Sequence, residues 1–251
     1  AKRRGSDTVI DTLRQEGSLK ALFPKVRGNA LDAVFLNTAG GLTGGDRMKI
    51  SVAAGAGAHV IMSSQAAERA YRAQPGQVAH SDVTIDVAAD GRIDWIPQET
   101  IFFESAALAR SMTVRLKGNA SALLVEPIIF GRAAMGEFVR NLHFTDQWRV
   151  HRDGRLIFAD AIRLIGDATA LLAQNAIANG AGAMATIVLA GPQASTCLKQ
   201  LNLPDCSGAS LIAEDLLVVR LLATDGFTLR RQMIPAIEAL SIAPLPRVWR
   251  L

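Results

Sequence analysis

The sequence predicts a mainly β fold in one domain, with two or three helices late in the chain. Apolar and polar residues alternate over many short stretches, and turn residues recur about every 8–12 residues, as in all-β domains. Segments with helical character are few. Residues 1–251 contain no linker-like change of composition and no fixed-period repeat, so we expect a single domain.

The clearest predicted strands have one apolar and one polar face. Val83, Ile85 and Val87 alternate with polar residues before a turn at Asp90-Gly91, and residues 112–116 alternate in the same way. The alternation continues less regularly at 216–222. Because successive side chains of a strand point to opposite faces, each segment predicts a half-buried strand.

The dipeptide Asp153-Gly154 predicts a β-hairpin between residues 148–152 and 155–158. Asp-Gly suits a type I′ turn, in which both central residues have positive φ. A two-residue loop would place Val150 opposite Ile157 and Trp148 opposite Ala159. It would also place Arg152 opposite Arg155, so we expect an acidic neighbour or a longer loop there.

Three segments favour helix. Residues 65–71 have good propensity but are few, and residues 169–179 are rich in Ala and Leu and end on Asn179-Gly180, a typical C-cap. Residues 228–240 carry an apolar stripe at helical spacing. Pro235 lies within this last segment, and we expect it to kink the helix or to mark its first turn.

The composition excludes several classes of protein. The chain has 27 Lys and Arg, 23 Asp and Glu and 5% aromatic residues, with its basic residues scattered, so we expect no nucleic-acid surface. No apolar stretch reaches the roughly 18 residues of a membrane helix. Two cysteines cannot form a disulfide framework, and no apolar segment of a secretory signal follows the basic residues at 2–4. We expect a soluble, cytoplasmic protein.

A glycine-rich loop at residues 38–46 is the most conspicuous motif. Phosphate-binding loops open a helix, whereas this loop precedes the strand-like alternation of residues 48–52 and lacks a following Gly-Lys-Ser/Thr. A tight turn that needs positive φ is the favoured interpretation. A nucleotide-binding enzyme that uses the Gly40–Gly45 loop is the alternative.

The residues alone show no catalytic motif and no preformed metal site. The four histidines lack ligand spacing, although a weak site of carboxylates and one histidine stays open. Glu99, Glu126, Glu137 and Asp160 stand in apolar, strand-like surroundings, where a carboxylate is costly unless it is paired or functional. Each of them either serves a function or pairs with an arginine, for which the candidates are Arg132, Arg149 and Arg163.

Six collinear segments together resemble the urease accessory protein family UreD, also called UreH. The segments are residues 37–46, 65–72, 95–103, 130–137, 148–160 and 245–249. The resemblance implies a β-helix-like stack of many short strands with about two helices. It also implies a protein that is not an enzyme but a scaffold, which binds apo-urease and recruits UreF and, through UreF, the GTPase UreG.

In such a complex, nickel would be a transient cargo on its way to the urease active site, and no cofactor would be bound tightly. Internal tunnels are proposed as the nickel route in this family. We hypothesise that a set of carboxylates lines such a path, because hard oxygen ligands bind nickel weakly and release it quickly. The candidates are Asp46, Glu99, Glu126, Glu137 and Asp160.

A second hypothesis concerns the surface that binds UreF. The chain is 49% hydrophobic, which suggests more apolar surface than a lone monomer exposes. The late helix and exposed strand edges are the candidate faces. The candidate partner-binding residues are Tyr71, Arg72, Arg132, Met233 and Ile237.

Overall fold

A computed structural model describes residues 1–25, 28–132 and 135–250. About half of the chain forms strands, most of which belong to two facing sheets, while the first two strands pair separately. The strands are β1 Lys2–Arg4, β2 Asp7–Val9, β3 Leu19–Leu22, β4 Leu31–Asn37, β5 Arg47–Ala54, β6 His59–Ser64, β7 Glu68–Ala70, β8 Ala79–Val87, β9 Arg92–Trp95, β10 Thr100–Phe102, β11 Ala107–Leu116, β12 Ser121–Phe130, β13 Leu142–Arg152, β14 Arg155–Gly166, β15 Ala183–Ala190, β16 Gly208–Ala213 and β17 Leu216–Ala223. The helices are α1 Ala168–Leu172, α2 Ala194–Leu198 and α3 Gly226–Leu240, with a 3₁₀ turn at Arg247–Trp249.

The two sheets arise from a chain that coils between them. Sheet 1 has the order β16-β17-β15-β12-β9-β6-β4-β3, with β7 and β10 alongside, and sheet 2 has the order β14-β13-β11-β8-β5. From β4 to β13 the chain alternates between the sheets, and neighbouring strands of successive coils are parallel. This arrangement is a β-solenoid-like stack, which confirms the expected mainly β, β-helix-like fold.

The space between the sheets holds one part of the core. The inward residues of β8 and β11 are the predicted apolar sets, among them Ile85 and Val114, both fully buried. The outer face of sheet 1 is covered by α2, α3 and the carboxy-terminal Trp249. Because sheet 1 is buried on both faces, β12 is a nearly continuous apolar run rather than an alternating one.

The predicted hairpin is β13–β14, and its turn residues Asp153 and Gly154 have φ of 49° and 82°. The predicted register was wrong by one residue. A β-bulge at Val150/His151 places Val150 opposite Phe158 and Trp148 opposite Asp160. Arg152 does lie opposite Arg155, and the expected acidic neighbour is Asp215, 3.2 Å from the Arg152 guanidinium.

The helix predictions had mixed outcomes. Residues 65–71 form no helix, because Glu68–Ala70 pairs as β7 with β10, and a seven-residue helix is marginal without such support. The segment 169–179 is helical only within α1, although Asn179 and Gly180 have the positive φ of a C-cap. The last prediction was right, and Pro235 lies inside α3. No helix among the described residues has the length and apolar character needed to cross a bilayer.

Candidate functional site

A cavity of about 230 Å³ opens between the sheets where the strands of sheet 1 are interrupted. β6 and β7 are separated by residues 65–67, and β9 and β10 by residues 96–99, whereas β12 runs straight past both breaks. Exposed residues such as Gln65 and Ala66 line one side of the cavity, and buried residues such as Trp95 and Glu126 line the other. The cavity therefore reaches from the surface into the core.

A buried charged cluster lies at the inner side of this cavity. Arg110 of β11 contacts Glu126 of β12 and Asp146 of β13, with nitrogen–oxygen distances of 2.6 Å in both pairs. Arg110 and Asp146 are direct partners across adjacent parallel strands, and Glu126 faces them from sheet 1. All three side chains are at most 7% exposed. One guanidinium thus faces two carboxylates.

Two tryptophans complete the cluster. The indole N–H of Trp95 donates to Glu126 over 2.8 Å, and that of Trp148 donates to Asp146 over 3.1 Å. The ring of Trp95 also stacks on Phe35, with 5.3 Å between ring centroids. Among the described residues, Arg110 Nε and Asp146 Oδ1 have no hydrogen-bond partner. The cluster therefore keeps one donor and one acceptor for a small polar guest such as water.

Burial is the main influence on the charges of the cluster. It raises the pKa of Glu126, and the Asp146 charge adds to this effect, while Arg110 and the Trp95 N–H oppose it. For Arg110, burial lowers the pKa, but the two carboxylates outweigh burial and the net shift is upward. The cluster thus has one acidic group more than it has basic groups, and a cation beside Glu126 would favour the ionised form of that carboxyl.

A further carboxylate lies towards the outer side of the cavity. Glu68, half-buried at the start of β7, accepts hydrogen bonds from the Asn37 amide over 3.3 and 3.4 Å. Burial raises the pKa of Glu68, against the hydrogen bonds from Arg69 N and Asn37. Glu68 and Glu126 are the acidic residues that line this cavity.

Of the five carboxylates predicted for a nickel path, Glu126 lines the cavity and the other four lie elsewhere. Glu99 pairs with Arg230 at 3.2 Å, Glu137 with Arg132 at 2.8 Å and Asp160 with Arg220 at 2.6 Å, while Asp46 accepts from the Thr43 amide at 2.8 Å. Of the three arginines that the sequence suggested as partners for these carboxylates, Arg132 forms such a pair. The Arg149 guanidinium donates to the Trp148 carbonyl instead. No group of three or more His, Cys, Asp or Glu in the described ranges is placed to hold a metal ion.

Glu68, Arg110 and Asp146 were not predicted from the sequence as residues of this site. Arg110 and Asp146 each occupy an inward position of an alternating strand, so a charge on an apolar face could have revealed them. Glu68 was concealed by the helical interpretation of residues 65–71.

The residues predicted to bind a partner fall into two groups. Tyr71 is 39% exposed and packs on Phe103 at 4.9 Å, and the Arg132 guanidinium lies 4.7 Å from the same ring. Arg72 is exposed beside Tyr71. Met233 and Ile237 of α3, in contrast, are fully buried on the helix face that packs against sheet 1. The apolar stripe of α3 therefore forms core, and those two side chains do not lie on an open surface.

The glycine-rich loop is a packed turn. A Cβ on Gly41 would lie 2.4 Å from the Tyr71 ring, so only glycine fits there. The loop uses its own amides: Leu42 N donates to Arg69 O, and Gly45 N to Val78 O. The chain then enters β5 rather than a helix. The loop therefore does not open a helix whose amino end could hold the phosphates of the nucleotide alternative.

Comparison with known proteins agrees with the resemblance. The family model described as "UreD urease accessory protein" matches residues 1–250. A urease accessory protein UreD from Ruegeria pomeroyi is 47% identical over 249 residues, covering 98% of this chain and 97% of the relative. Another from Rhizobium rhizogenes is 46% identical over 247 residues, covering 97% and 90%. The family is one of accessory proteins, in accord with the expectation that the chain is not an enzyme. The chain thus belongs to the UreD family of urease accessory proteins.

Proposed function

We propose that this protein is a cytoplasmic scaffold in urease maturation, which binds apo-urease and recruits UreF and, through UreF, UreG. Nickel would be its transient cargo, and no cofactor would be held tightly. The observation that carries the proposal is the cavity that leads from the surface near Glu68 to the buried cluster at Glu126. The family membership supports the accessory role.

The chemistry of the cavity suits a cation that must move on. Carboxylate oxygens bind divalent nickel less tightly than imidazole or thiolate ligands do, so they allow exchange. The excess carboxylate of the cluster offsets part of the cost of taking a cation from water into the interior. Glu68 and Glu126 are accordingly the proposed path residues, while Glu99, Glu137, Asp160 and Asp46 keep ion-pair or turn contacts.

Carboxylate-to-amide variants test the path. In a nickel-dependent urease activation assay with UreF and UreG, we expect Glu126→Gln and Glu68→Gln each to slow activation by about tenfold, equivalent to about 1.4 kcal/mol. Both changes keep the side-chain volume, and Glu126→Gln leaves Arg110 paired with Asp146.

Glu99→Gln is the matched control, because Glu99 is also buried but faces Arg230 rather than the cavity. We expect Glu99→Gln to activate urease at the wild-type rate. All variants should co-purify with UreF and apo-urease. Full activation by both cavity variants would remove the carboxylate path, and failure of the wild-type chain to co-purify would remove the scaffold role.

We also propose that the exposed surface formed by Tyr71, Arg72, Phe103 and Arg132 binds a partner protein of the complex. Tyrosine and arginine at the centre of an interface often contribute most of its binding energy. Tyr71→Ala should reduce co-purification with UreF or apo-urease, whereas Leu211→Ala, on the exposed edge strand β16, should not. Unchanged affinity of Tyr71→Ala for both partners would contradict this assignment.

A further inference from the structure

β14 is the last strand of sheet 2, and the side of it that faces away from β13 is open. In the described ranges, β13 is the one strand that pairs with β14. The His143 N–H donates to the Ala106 carbonyl, so the odd-numbered residues of β13 bond towards β11 and its even-numbered residues bond towards β14. Trp148 and Asp160 are direct partners, so the even-numbered residues of β14 bond back to β13.

The odd-numbered residues of β14 therefore direct their peptide groups towards the open edge. These four residues, all of them exposed, are Ala159, Ala161, Arg163 and Ile165. No hydrogen bond within the described part of the chain uses their N–H or C=O groups. A row of unpaired backbone groups is a template for another strand. The open edge runs from Phe158, next to the β-bulge, to Gly166.

β14 has few of the features that protect an edge strand from pairing. Natural edge strands are often short or irregular, or contain proline or an inward charge. The edge strand of sheet 1, β16, is six residues long, and its register shifts between Leu211 and Ala213. β14 is twelve residues long and contains no proline, and its inward Asp160 is neutralised by Arg220 at 2.6 Å. The open edge of β14 is therefore regular enough to pair along its length.

The outward side chains of the open edge are self-complementary in size. The two small residues, Ala159 and Ala161, precede two large ones. In an antiparallel second copy with the two-fold axis at Ile162, Ala161 lies opposite Arg163. The same axis places Ala159 opposite Ile165. Each large side chain then lies against an alanine in both halves of the contact, which presents the same surface from each copy.

The charges near the open edge are compatible with this pairing. Arg163 would lie opposite Ala161 of the second copy, and the next residue in that row is Gln147 of β13. Arg149 lies in the neighbouring row, two residues along the strand. The carboxylate of Asp82 lies in the row of Gln147, but β11 and β13 separate it from β14. No two like charges would therefore lie directly opposite each other.

Pairing would also cover apolar side chains on the inner side of the strand. Ile162 of one copy would meet Ile162 of the other at the axis, and Leu164 would lie opposite Asp160. Both Ile162 and Leu164 are half-buried and pack against the core beneath sheet 2. A second copy would remove part of their remaining apolar surface from water, while Asp160 keeps its contact with Arg220.

We propose that two copies of this chain associate through β14, edge to edge and antiparallel about Ile162. The two five-stranded sheets then form one continuous sheet across the two-fold axis. Main-chain hydrogen bonds supply affinity, as in other cases of strand addition, and the size pattern sets the register. A single strand pair buries less than a standard interface, so we expect the dimer to dissociate at micromolar concentrations. The edge contains no residue of the nickel path or of the surface around Tyr71, so this inference does not rest on the proposed function.

Disulfide trapping tests the register of the pairing. In a Cys206→Ser background, which removes the exposed native thiol, Ile162→Cys places one thiol on each side of the axis. We expect Ile162→Cys to form a covalent dimer on mild oxidation, because directly opposite side chains of two antiparallel strands are close. Ala159→Cys is the matched control, since Ala159 lies on the same edge but opposite Ile165 rather than itself. Equal trapping of both variants, or no trapping of Ile162→Cys, would overturn the proposal.

Sedimentation equilibrium of the whole chain tests the edge itself. Ala161→Pro removes an N–H that faces the open edge and leaves the bonds to β13, a position where edge strands tolerate proline. We expect the dissociation constant of the dimer to rise by about tenfold, whereas Ala161→Ser should associate as the wild type does. Thermal unfolding checks that both variants are folded. A folded wild-type chain that stays monomeric throughout the micromolar range, or unchanged association of Ala161→Pro, would contradict the proposal. Urease activation reports on the proposed function separately.

Discussion

The buried cluster around Arg110 and the peripheral ion pairs use the same side chains in opposite ways. Asp160–Arg220 joins one carboxylate to one guanidinium, with 19% and 41% of the side chains exposed. The cluster joins two carboxylates to one guanidinium and is almost completely buried. A balanced pair near water contributes little to stability, whereas a buried unbalanced cluster makes its single cation indispensable. The peripheral pairs hold parts of the fold together near water, whereas the buried cluster is retained although burying its charges costs free energy.

The largest expected effect comes from removing that cation. Arg110→Met leaves Glu126 and Asp146 buried together without a counter-charge, so we expect a loss of about 3–5 kcal/mol in the free energy of unfolding. Urea unfolding measures the loss. The matched variant is Arg115→Met, on the same strand but exposed, for which we expect a change within about 0.5 kcal/mol. Equal effects of the two variants would remove the distinction between cluster and periphery.

Asp32 sharpens the comparison because it is a buried carboxylate whose Oδ1 has no hydrogen-bond partner among the described residues. Burial raises the pKa of Asp32 from 3.8 to about 6. Between these values the folded chain keeps a proton that the unfolded chain has released. The contribution of Asp32 to stability is therefore complete below about pH 4 and is lost as the pH rises through about 6.

The loss should be about 3 kcal/mol, and Asp32→Asn should abolish it. Urea unfolding of both proteins at a series of pH values between these limits measures the effect. Identical pH profiles of the wild type and Asp32→Asn would show that the folded chain does not hold this proton.

The smallest expected effect belongs to a peripheral pair. Asp160→Asn removes the charge opposite Arg220, which still contacts the Thr186 hydroxyl over 2.7 Å. We expect a loss of about 0.5–1 kcal/mol that shrinks at high salt. A double-mutant cycle with Arg220→Gln measures the coupling between the two. A coupling as large as the Arg110 effect would place this pair with the cluster rather than with the surface.

Much of the fold could be predicted because local sequence patterns determine it. The alternation of residues 83–87 and 112–116 gave the correct faces, and Asp153-Gly154 gave the correct turn. The helix α3 followed from its apolar stripe, because these positions form core whichever strands lie beneath. The strand at Glu68–Ala70 could not be predicted, since pairing with β10, distant in sequence, overrode the helix propensity of residues 65–71.

The candidate site was harder to predict for the same reason. Arg110 is 16 residues from Glu126 and 36 from Asp146, and the three meet only because successive coils stack in register. Glu126 was identified from its apolar surroundings, but the same criterion selected Glu99 and Asp160, which face other elements. Apolar context alone does not distinguish the inside of a solenoid from the space beneath a helix.

The β-bulge at Val150/His151 has a consequence for insertions and deletions. Without the bulge, Val150 would pair with Ile157, and the side chains of β14 from there onwards would exchange faces. Phe158 would leave the core, and Asp160 would point to solvent instead of reaching Arg220 on sheet 1. One residue gained or lost near the hairpin turn would therefore invert a whole strand, whereas two would leave its facing intact. Insertions or deletions of an even number of residues should therefore be tolerated here better than those of an odd number, whatever their size.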